Sequence, residues 1–115
     1  MKRGDVVTVV LPGGLGKPRP AVVIQADMAG PTTATVTVLP FTSTKVDAPL
    51  FRIEVAPSEP NGLEKLCYVQ IDKATSPPRA KIGAVIGSVD DTTMLAINRA
   101  LVVFLGLAQG SYWSH

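Results

Sequence analysis

Short connections between apolar segments constrain the fold of this chain more than any other feature of its sequence. Turn residues such as Gly30-Pro31 and Pro77-Pro78 separate these segments, and no helical pattern lies between them. Parallel strands need crossover connections of a dozen or more residues, usually helical, whereas antiparallel strands can be joined by tight turns. The sequence therefore predicts a mainly β protein with an antiparallel, strongly curved sheet. The six segments that read as strands are Asp5–Leu11, Pro20–Gln25, Ala34–Leu39, Phe51–Val55, Leu66–Ile71 and Lys81–Gly87.

One helix is predicted, and it follows the last strand. Ser88–Asp91 supply an N-terminal cap and early negative charge, and Gly106 suits the left-handed position after the last turn. Between these ends, Met94, Ile97 and Leu101 recur at helical spacing. The pattern predicts a helix whose apolar side packs on the sheet.

The two flanks of this helix differ in character. Thr93, Asn98 and Arg99 form a polar outer side, whereas Val102 and Val103 widen the apolar stripe. A stripe of this width indicates burial against the sheet and leaves room for contact with a second subunit.

Length and composition fit one globular domain with a small net charge. The 115 residues are 46% hydrophobic and 17% charged, which excludes a disordered chain. The formal net charge is only +2, so any binding of a polyanion must depend on a local patch. No apolar signal segment begins the chain, and no apolar run is long enough to span a bilayer. We therefore expect a cytoplasmic protein with no membrane segment.

The single cysteine excludes an internal disulfide, and no cluster of cysteine and histidine offers a metal site. Cys67 lies in a predicted strand, with no histidine nearby to activate its thiolate. It therefore fits a small core residue better than a nucleophile. We expect neither a metal nor a cofactor.

The last six residues, 110–115, read as a short linker followed by the first three residues of a Trp-Ser-His-Pro purification tag. His115 and Trp113 are the only histidine and tryptophan of the chain. We therefore expect one domain at residues 1–109, with no histidine for acid–base chemistry.

Arg19 stands between Pro18 and Pro20 at the mouth of the second predicted strand. Proline fixes its own φ and pushes the preceding residue out of the helical region, so Arg19 is expected to have an extended, stiff backbone. A guanidinium on such a base suits a phosphate or carboxylate that must be met in one geometry. The alternative is an arginine whose stem merely covers apolar surface at a strand edge.

Three hydroxyl residues and a lysine, Thr42 to Lys45, follow the third predicted strand, which is expected to end at Pro40. They are either a solvated loop that caps backbone groups or a set of short donors for phosphate oxygens. No carboxylate pair and no serine–histidine arrangement accompanies them. Arginine, hydroxyls and amides can still promote RNA cleavage, because the ribose 2′-oxygen is a nucleophile within the substrate.

Several short motifs, in one order across residues 2 to 107, resemble those of the MazF/PemK family. The matching stretches are Met1–Val6, Arg19–Gln25, Leu39–Ser43, Val69–Ile71, Ile82-Gly83 and Ile97–Leu107. The resemblance implies a small SH3-like barrel of the CcdB/PemK type with a C-terminal helix. It also implies that the protein is the toxin of a type II toxin–antitoxin pair. Such a toxin is a homodimer that cleaves single-stranded RNA selectively and without metal, and a cognate antitoxin neutralises it.

The resemblance also assigns site residues. Arg19 corresponds to the catalytic arginine of the family, an acid–base group and transition-state stabiliser, and Thr42 to the threonine that places the phosphoryl group. The expected substrate-binding residues are Lys17, Ser43, Thr44 and Gln70. The chain departs from the common family pattern around Gln70, where Val69 precedes it and Asp72-Lys73 follow Ile71.

Two other functions remain open at the level of the sequence. A DNA gyrase inhibitor resembling CcdB would share the fold. In that family a terminal tryptophan contributes to the contact with the target, whereas the only tryptophan here, Trp113, lies in the suspected tag. An inactive SH3-like barrel that only binds nucleic acid is the second alternative. An aromatic content of 5% argues against a stacking platform for several bases.

Overall fold

Six strands and one long helix make up the part of the chain that the computed structural model describes, which is residues 1–13, 16–27, 32–47 and 50–108. Single turns of 3₁₀ helix at Ile71–Lys73 and Arg79–Lys81 separate the last strands. Gly30-Pro31 and the suspected tag at 110–115 lie outside the described residues. The elements are β1 (Asp5–Val9), β2 (Arg19–Val23), β3 (Val38–Thr42), β4 (Arg52–Val55), β5 (Cys67–Gln70), β6 (Ile82–Ser88) and α1 (Asp91–Phe104).

The strands form one sheet in the order β4-β5-β3-β2-β1-β6, and all neighbours are antiparallel. This arrangement, with α1 at the C-terminal end, confirms the predicted fold class. The outer strands β4 and β6 do not pair with each other in the described part of the chain, so the sheet is curled but open.

The third strand differs from its prediction at both ends. Thr35 and Val38 form isolated bridges to Pro78 and Thr75, and regular pairing begins only at Val38. The strand then continues through Pro40 instead of ending there. Proline has no N–H to donate to a ladder, and β3 changes partner here, from β2 at residues 38–40 to β5 at residues 41–42.

Alternation along the strands divides the buried side chains into two clusters, one on each face of the sheet. Val6 and Val22 belong to the larger cluster, whereas Val7 and Val23 belong to the smaller one. The larger cluster includes Ile97 of α1, which is completely buried. Burial on both faces explains why β1 and β2 are almost continuously apolar.

Both ends of the helix match the predicted signals. The carboxylate of Asp90 accepts a hydrogen bond from the backbone N–H of Thr93 at 2.7 Å, and this bond lowers the pKa of Asp90. Gly106, with φ of 70°, follows the last turn in the left-handed region.

The helix flanks add two details to the prediction. Asn98 on the polar side is partly buried, and its side-chain oxygen accepts a hydrogen bond from the Arg3 guanidinium at 2.7 Å. Val102 and Val103 are exposed and do not pack on the sheet. The helical period predicted the buried face correctly, but it could not show that the sheet covers only the side around Ile97. No described helix has the length and apolar character needed to cross a membrane.

Candidate active site

Strand alternation brings several predicted site residues to one face of the sheet. Ala21 and Val23 of β2 belong to the smaller cluster. Arg19 lies two residues before Ala21, so strand alternation puts it on the same face. Val38 of β3 also belongs to it, and Thr42 lies four residues further along the same strand. In β5, Val69 faces the larger cluster, which leaves Gln70 on the opposite side.

The strand register aligns these residues across the sheet. Ala21 and Pro40 form the last β2–β3 pair, and Arg19 and Thr42 each lie two residues beyond it on the same face. The Gln70 side-chain amide donates a hydrogen bond to the Pro40 carbonyl at 3.3 Å, which links Gln70 of β5 to β3 beside Thr42.

An open groove of about 700 Å³ lies over this face. Five of the six predicted site residues line it, namely Arg19, Thr42, Ser43, Thr44 and Gln70. Lys17, the sixth, is exposed in the loop before β2 and is not among the lining residues. The structure thus brings most of the predicted set together, while the role of each residue stays a prediction.

Two groove lysines were not predicted from the sequence. Lys65 and Lys73 both line the groove, one just before β5 and one just after it. Lysines at both ends of the strand that carries Gln70 are the signal that could have identified them. Thr75, on the bridge to Val38, adds a further hydroxyl to the lining.

The groove is electropositive although the chain is nearly neutral. Arg19, Lys65 and Lys73 line it, and no aspartate or glutamate does so among the described residues. The Arg19 side chain is exposed and forms no ion pair or hydrogen bond within the described part of the chain. Three cations without a local counter-charge favour an anionic ligand.

The Thr42 hydroxyl is held in place while its hydrogen stays available. Its oxygen accepts a hydrogen bond from the backbone N–H of Thr44 at 3.2 Å. This turn fixes the hydroxyl oxygen in a short polar segment at the end of β3. The hydroxyl can therefore donate to an oxygen of a bound phosphate.

The residues that depart from the family pattern after Gln70 have different environments. Asp72 forms a salt bridge with Arg52 of β4, outside the groove lining. Lys73, its neighbour, lines the groove. One departure therefore joins β4 to the segment after β5, and the other adds positive charge to the groove.

Cys67 is among the residues that line the groove, but it is only 5% exposed and its side chain belongs to the larger core cluster. Burial raises the pKa of its thiol, and the charge of Lys65 opposes this shift only in part. The thiol donates a hydrogen bond to the Lys65 carbonyl at 3.2 Å. These features make Cys67 a core residue, as predicted. The described residues contain no group of three metal-ligating side chains.

The chain is similar in sequence to proteins of one family. The family model described as PemK-like, MazF-like toxin of type II toxin–antitoxin system matches residues 2–105. The probable endoribonuclease MazF of Mycolicibacterium smegmatis is 44% identical over 109 residues, which cover 94% of this chain and 99% of that protein.

Solved structures show the same fold. An endoribonuclease from a mycobacterial species, in complex with its cognate antitoxin, superposes with a TM-score of 0.78 at 29% identity, covering 93% of this chain and 96% of that chain. The MazE–MazF structure from Deinococcus radiodurans gives a TM-score of 0.73 at 19% identity, covering 94% of this chain and 98% of that chain. This second likeness concerns the fold alone.

Proposed function

The chain belongs to the PemK-like, MazF-like toxins of type II toxin–antitoxin systems, and on this premise we propose that it is a metal-independent, sequence-selective endoribonuclease acting on single-stranded RNA. The observation that carries the proposal is the groove lined by Arg19, Lys65 and Lys73 without a carboxylate. Such a lining attracts the RNA backbone, and it suits a reaction whose nucleophile, the 2′-oxygen, belongs to the substrate.

The proposed reaction is a transesterification within the RNA. The ribose 2′-oxygen attacks the adjacent phosphorus, the bond from phosphorus to the 5′-oxygen breaks, and the 2′-proton leaves as the 5′-oxygen gains one. The products carry a 2′,3′-cyclic phosphate and a 5′-hydroxyl. DNA is not cleaved, because it lacks the 2′-hydroxyl.

Arg19 and Thr42 have complementary roles in this proposal. Arginine keeps its charge at neutral pH and presents a planar fork of donors. The Arg19 guanidinium therefore stabilises the charge that develops on the non-bridging oxygens, while the Thr42 hydroxyl orients the phosphoryl group. Ser43, Thr44 and Gln70 bind the flanking backbone, and Lys17, exposed in the loop before β2, binds the substrate outside the groove lining.

Replacing Arg19 tests the proposal. We expect Arg19→Ala to lower kcat by about 10²–10³-fold, because a preorganised donor to the developing charge is lost. The measurement is cleavage of single-stranded RNA in the presence of EDTA, with the 3′ ends analysed for cyclic phosphate. Arg99→Ala, which removes an exposed arginine from the helix, is the matched control.

Each possible result bears on a different part of the proposal. Unchanged cleavage by folded Arg19→Ala would contradict the role of this residue. Loss of wild-type activity in EDTA would contradict the metal-free mechanism. RNA binding without cleavage by the wild type would favour an inactive nucleic-acid-binding barrel. Gyrase inhibition is not favoured, because the matching family and the similar curated protein are of the MazF type.

The proposed partners follow from the same family. We propose a cognate antitoxin, supported by the mycobacterial neighbour that was solved with its own, and a cytoplasmic location. We also propose a homodimer, because the single chain exposes apolar side chains on β6 and at the end of α1. Val85, Val103 and Leu107 are each more than half exposed.

A further inference from the structure

A second cavity of about 510 Å³ lies beside the groove on the same face of the sheet. Tyr68 lines this cavity and pairs directly with Thr42, which lines the groove. The remaining lining residues come from β4 and from the segment after Thr44; they are Lys45, Val46, Asp47, Arg52 and Glu54. The two cavities therefore adjoin across the β3–β5 pair.

One transverse row of residues links the groove to this cavity. Arg19 and Thr42 line the same groove, Thr42 pairs with Tyr68, and Tyr68 pairs with Glu54. Neighbouring strands are about 4.8 Å apart. A strand of RNA whose phosphate lies at Arg19 and Thr42 therefore has its next base within reach of Tyr68 and Glu54.

Tyr68 and Glu54 are available to a ligand, whereas Arg52 is partly engaged. Its Nη1 donates to Asp72 and to the Phe51 carbonyl, while its buried Nε has no hydrogen-bond partner among the described residues. The side chains of Tyr68 and Glu54 make no hydrogen bond or ion pair within the described part of the chain, and Tyr68 is partly exposed. An aromatic ring beside a carboxylate offers a stacking surface and an acceptor for N–H groups.

We propose that this cavity is a nucleobase subsite, which takes the base next to the scissile phosphate; the inference rests on the proposed ribonuclease function. The base stacks on Tyr68 and donates N–H groups of its edge to Glu54. Guanine fits best, because its N1–H and amino group lie side by side on one edge. Uracil is disfavoured, because carbonyl oxygens flank its only N–H and repel a carboxylate. Lys45 neutralises the phosphate on this side.

The test measures binding separately from cleavage. The probes are fluorescent single-stranded oligonucleotides of about ten nucleotides, with 2′-fluoro riboses that remove the nucleophile, composed of uridine with or without one guanosine. Binding to the full chain is measured by fluorescence anisotropy. Cleavage of natural RNA, followed by sequencing of the new 5′ ends, reports the preferred base beside the cut.

We expect Tyr68→Ala to weaken binding of the guanosine probe by about ten- to a hundredfold, because the stacking surface is lost. Tyr68→Phe retains the ring and is expected to bind nearly as well as the wild type. Glu54→Gln replaces a carboxylate that accepts two bonds and is expected to lower the preference for guanosine over uridine by about tenfold. Glu59→Gln, at an exposed glutamate outside both cavities, is the matched control.

The outcomes separate this subsite from the function on which it rests. If the wild type cleaves RNA but both Tyr68→Ala and Glu54→Gln match Glu59→Gln in binding and base preference, the subsite is wrong and the ribonuclease function stands. If these variants weaken only antitoxin binding, the cavity belongs to a protein partner and the subsite is again wrong. If the wild type neither binds nor cleaves RNA, the ribonuclease function itself fails.

Discussion

Burial decides the chemistry of the one cysteine in the chain. Cys67 belongs to the larger core cluster, and its thiol is bonded to the Lys65 carbonyl. Because the thiolate is the nucleophilic form, a raised pKa and low exposure together make the residue inert at neutral pH. Only the absence of an activating neighbour was visible in the sequence. The burial that raises the pKa depends on packing around β5.

We predict that Cys67 is protected from alkylation in the folded protein. At about pH 8, the rate of modification by iodoacetamide should be at least about tenfold lower than in concentrated urea, because the folded thiol is both buried and protonated. The rate for the folded chain should keep rising with pH beyond the ordinary thiol range, where the rate for the unfolded chain levels off, since burial raises the pKa of the folded thiol. Mass spectrometry over time measures both rates. Equal rates in the folded and unfolded chain would contradict the assignment.

The same pKa shift has a consequence for stability. Above the ordinary thiol pKa, the unfolded chain releases the Cys67 proton while the folded chain retains it. The free energy of unfolding therefore falls as the pH rises through that range. Cys67→Ala should lack this part of the pH dependence.

At the scale of elements, the sequence predicted which segments form strands better than it predicted where they begin. Apolar runs bounded by turn residues identified all six strands, although no residue of β6 is buried in the single chain. The predicted β3 began too early: Thr35 and Val36 have the same alternation, but Thr35 only forms an isolated bridge with Pro78, and the Val36 N–H donates to the Pro77 carbonyl. Pairing partners are a tertiary property, and local periodicity carries no information about them.

A close approach between a turn and β6 was also invisible in the sequence. Gly62 has φ of +69°, and a Cβ atom there would overlap the Ile86 carbonyl of β6. Gly16 has φ of +76°, but nothing lies within 4 Å of the corresponding position. The two glycines share the same backbone requirement and differ in the space around them.

We therefore predict unequal costs for two alanine substitutions. Gly16→Ala should lower the free energy of unfolding by about 1 kcal/mol, the cost of a left-handed backbone. Gly62→Ala should lower it by about 2–4 kcal/mol, because overpacking against β6 adds to that cost. Urea unfolding monitored by circular dichroism measures both values. Similar losses for the two variants would show that the turn can move away from β6.

At the scale of the whole molecule, charge is distributed in a way that the composition conceals. The net charge of +2 gave no indication of nucleic acid, yet the fold collects Arg19, Lys65 and Lys73 in one groove. Arg19 was recognisable from its two flanking prolines. The lysines were not, because they lie more than forty residues from it in sequence and meet it only through the β2–β3–β5 order.

The exposed apolar side chains predict that the full chain is a homodimer. Val85 on β6 and Val103 near the end of α1 lie on two separate elements, so each surface can be tested alone. We expect light scattering at micromolar concentration to give twice the mass of the chain. Lysine at the surface that forms the interface should give a monomer, because a charge cannot be buried there without a partner.

The variants Val85→Lys and Val103→Lys therefore assign the interface, and Thr92→Lys, which places the same charge on an exposed turn of α1, is the control. A monomeric wild type would contradict the homodimer itself. A dimer that survives both valine substitutions would exclude both surfaces. If Val85→Lys alone dissociates the dimer, the two copies meet along β6. No residue of β6 lines the groove or the cavity beside it, so contact through β6 does not itself cover the lining of either.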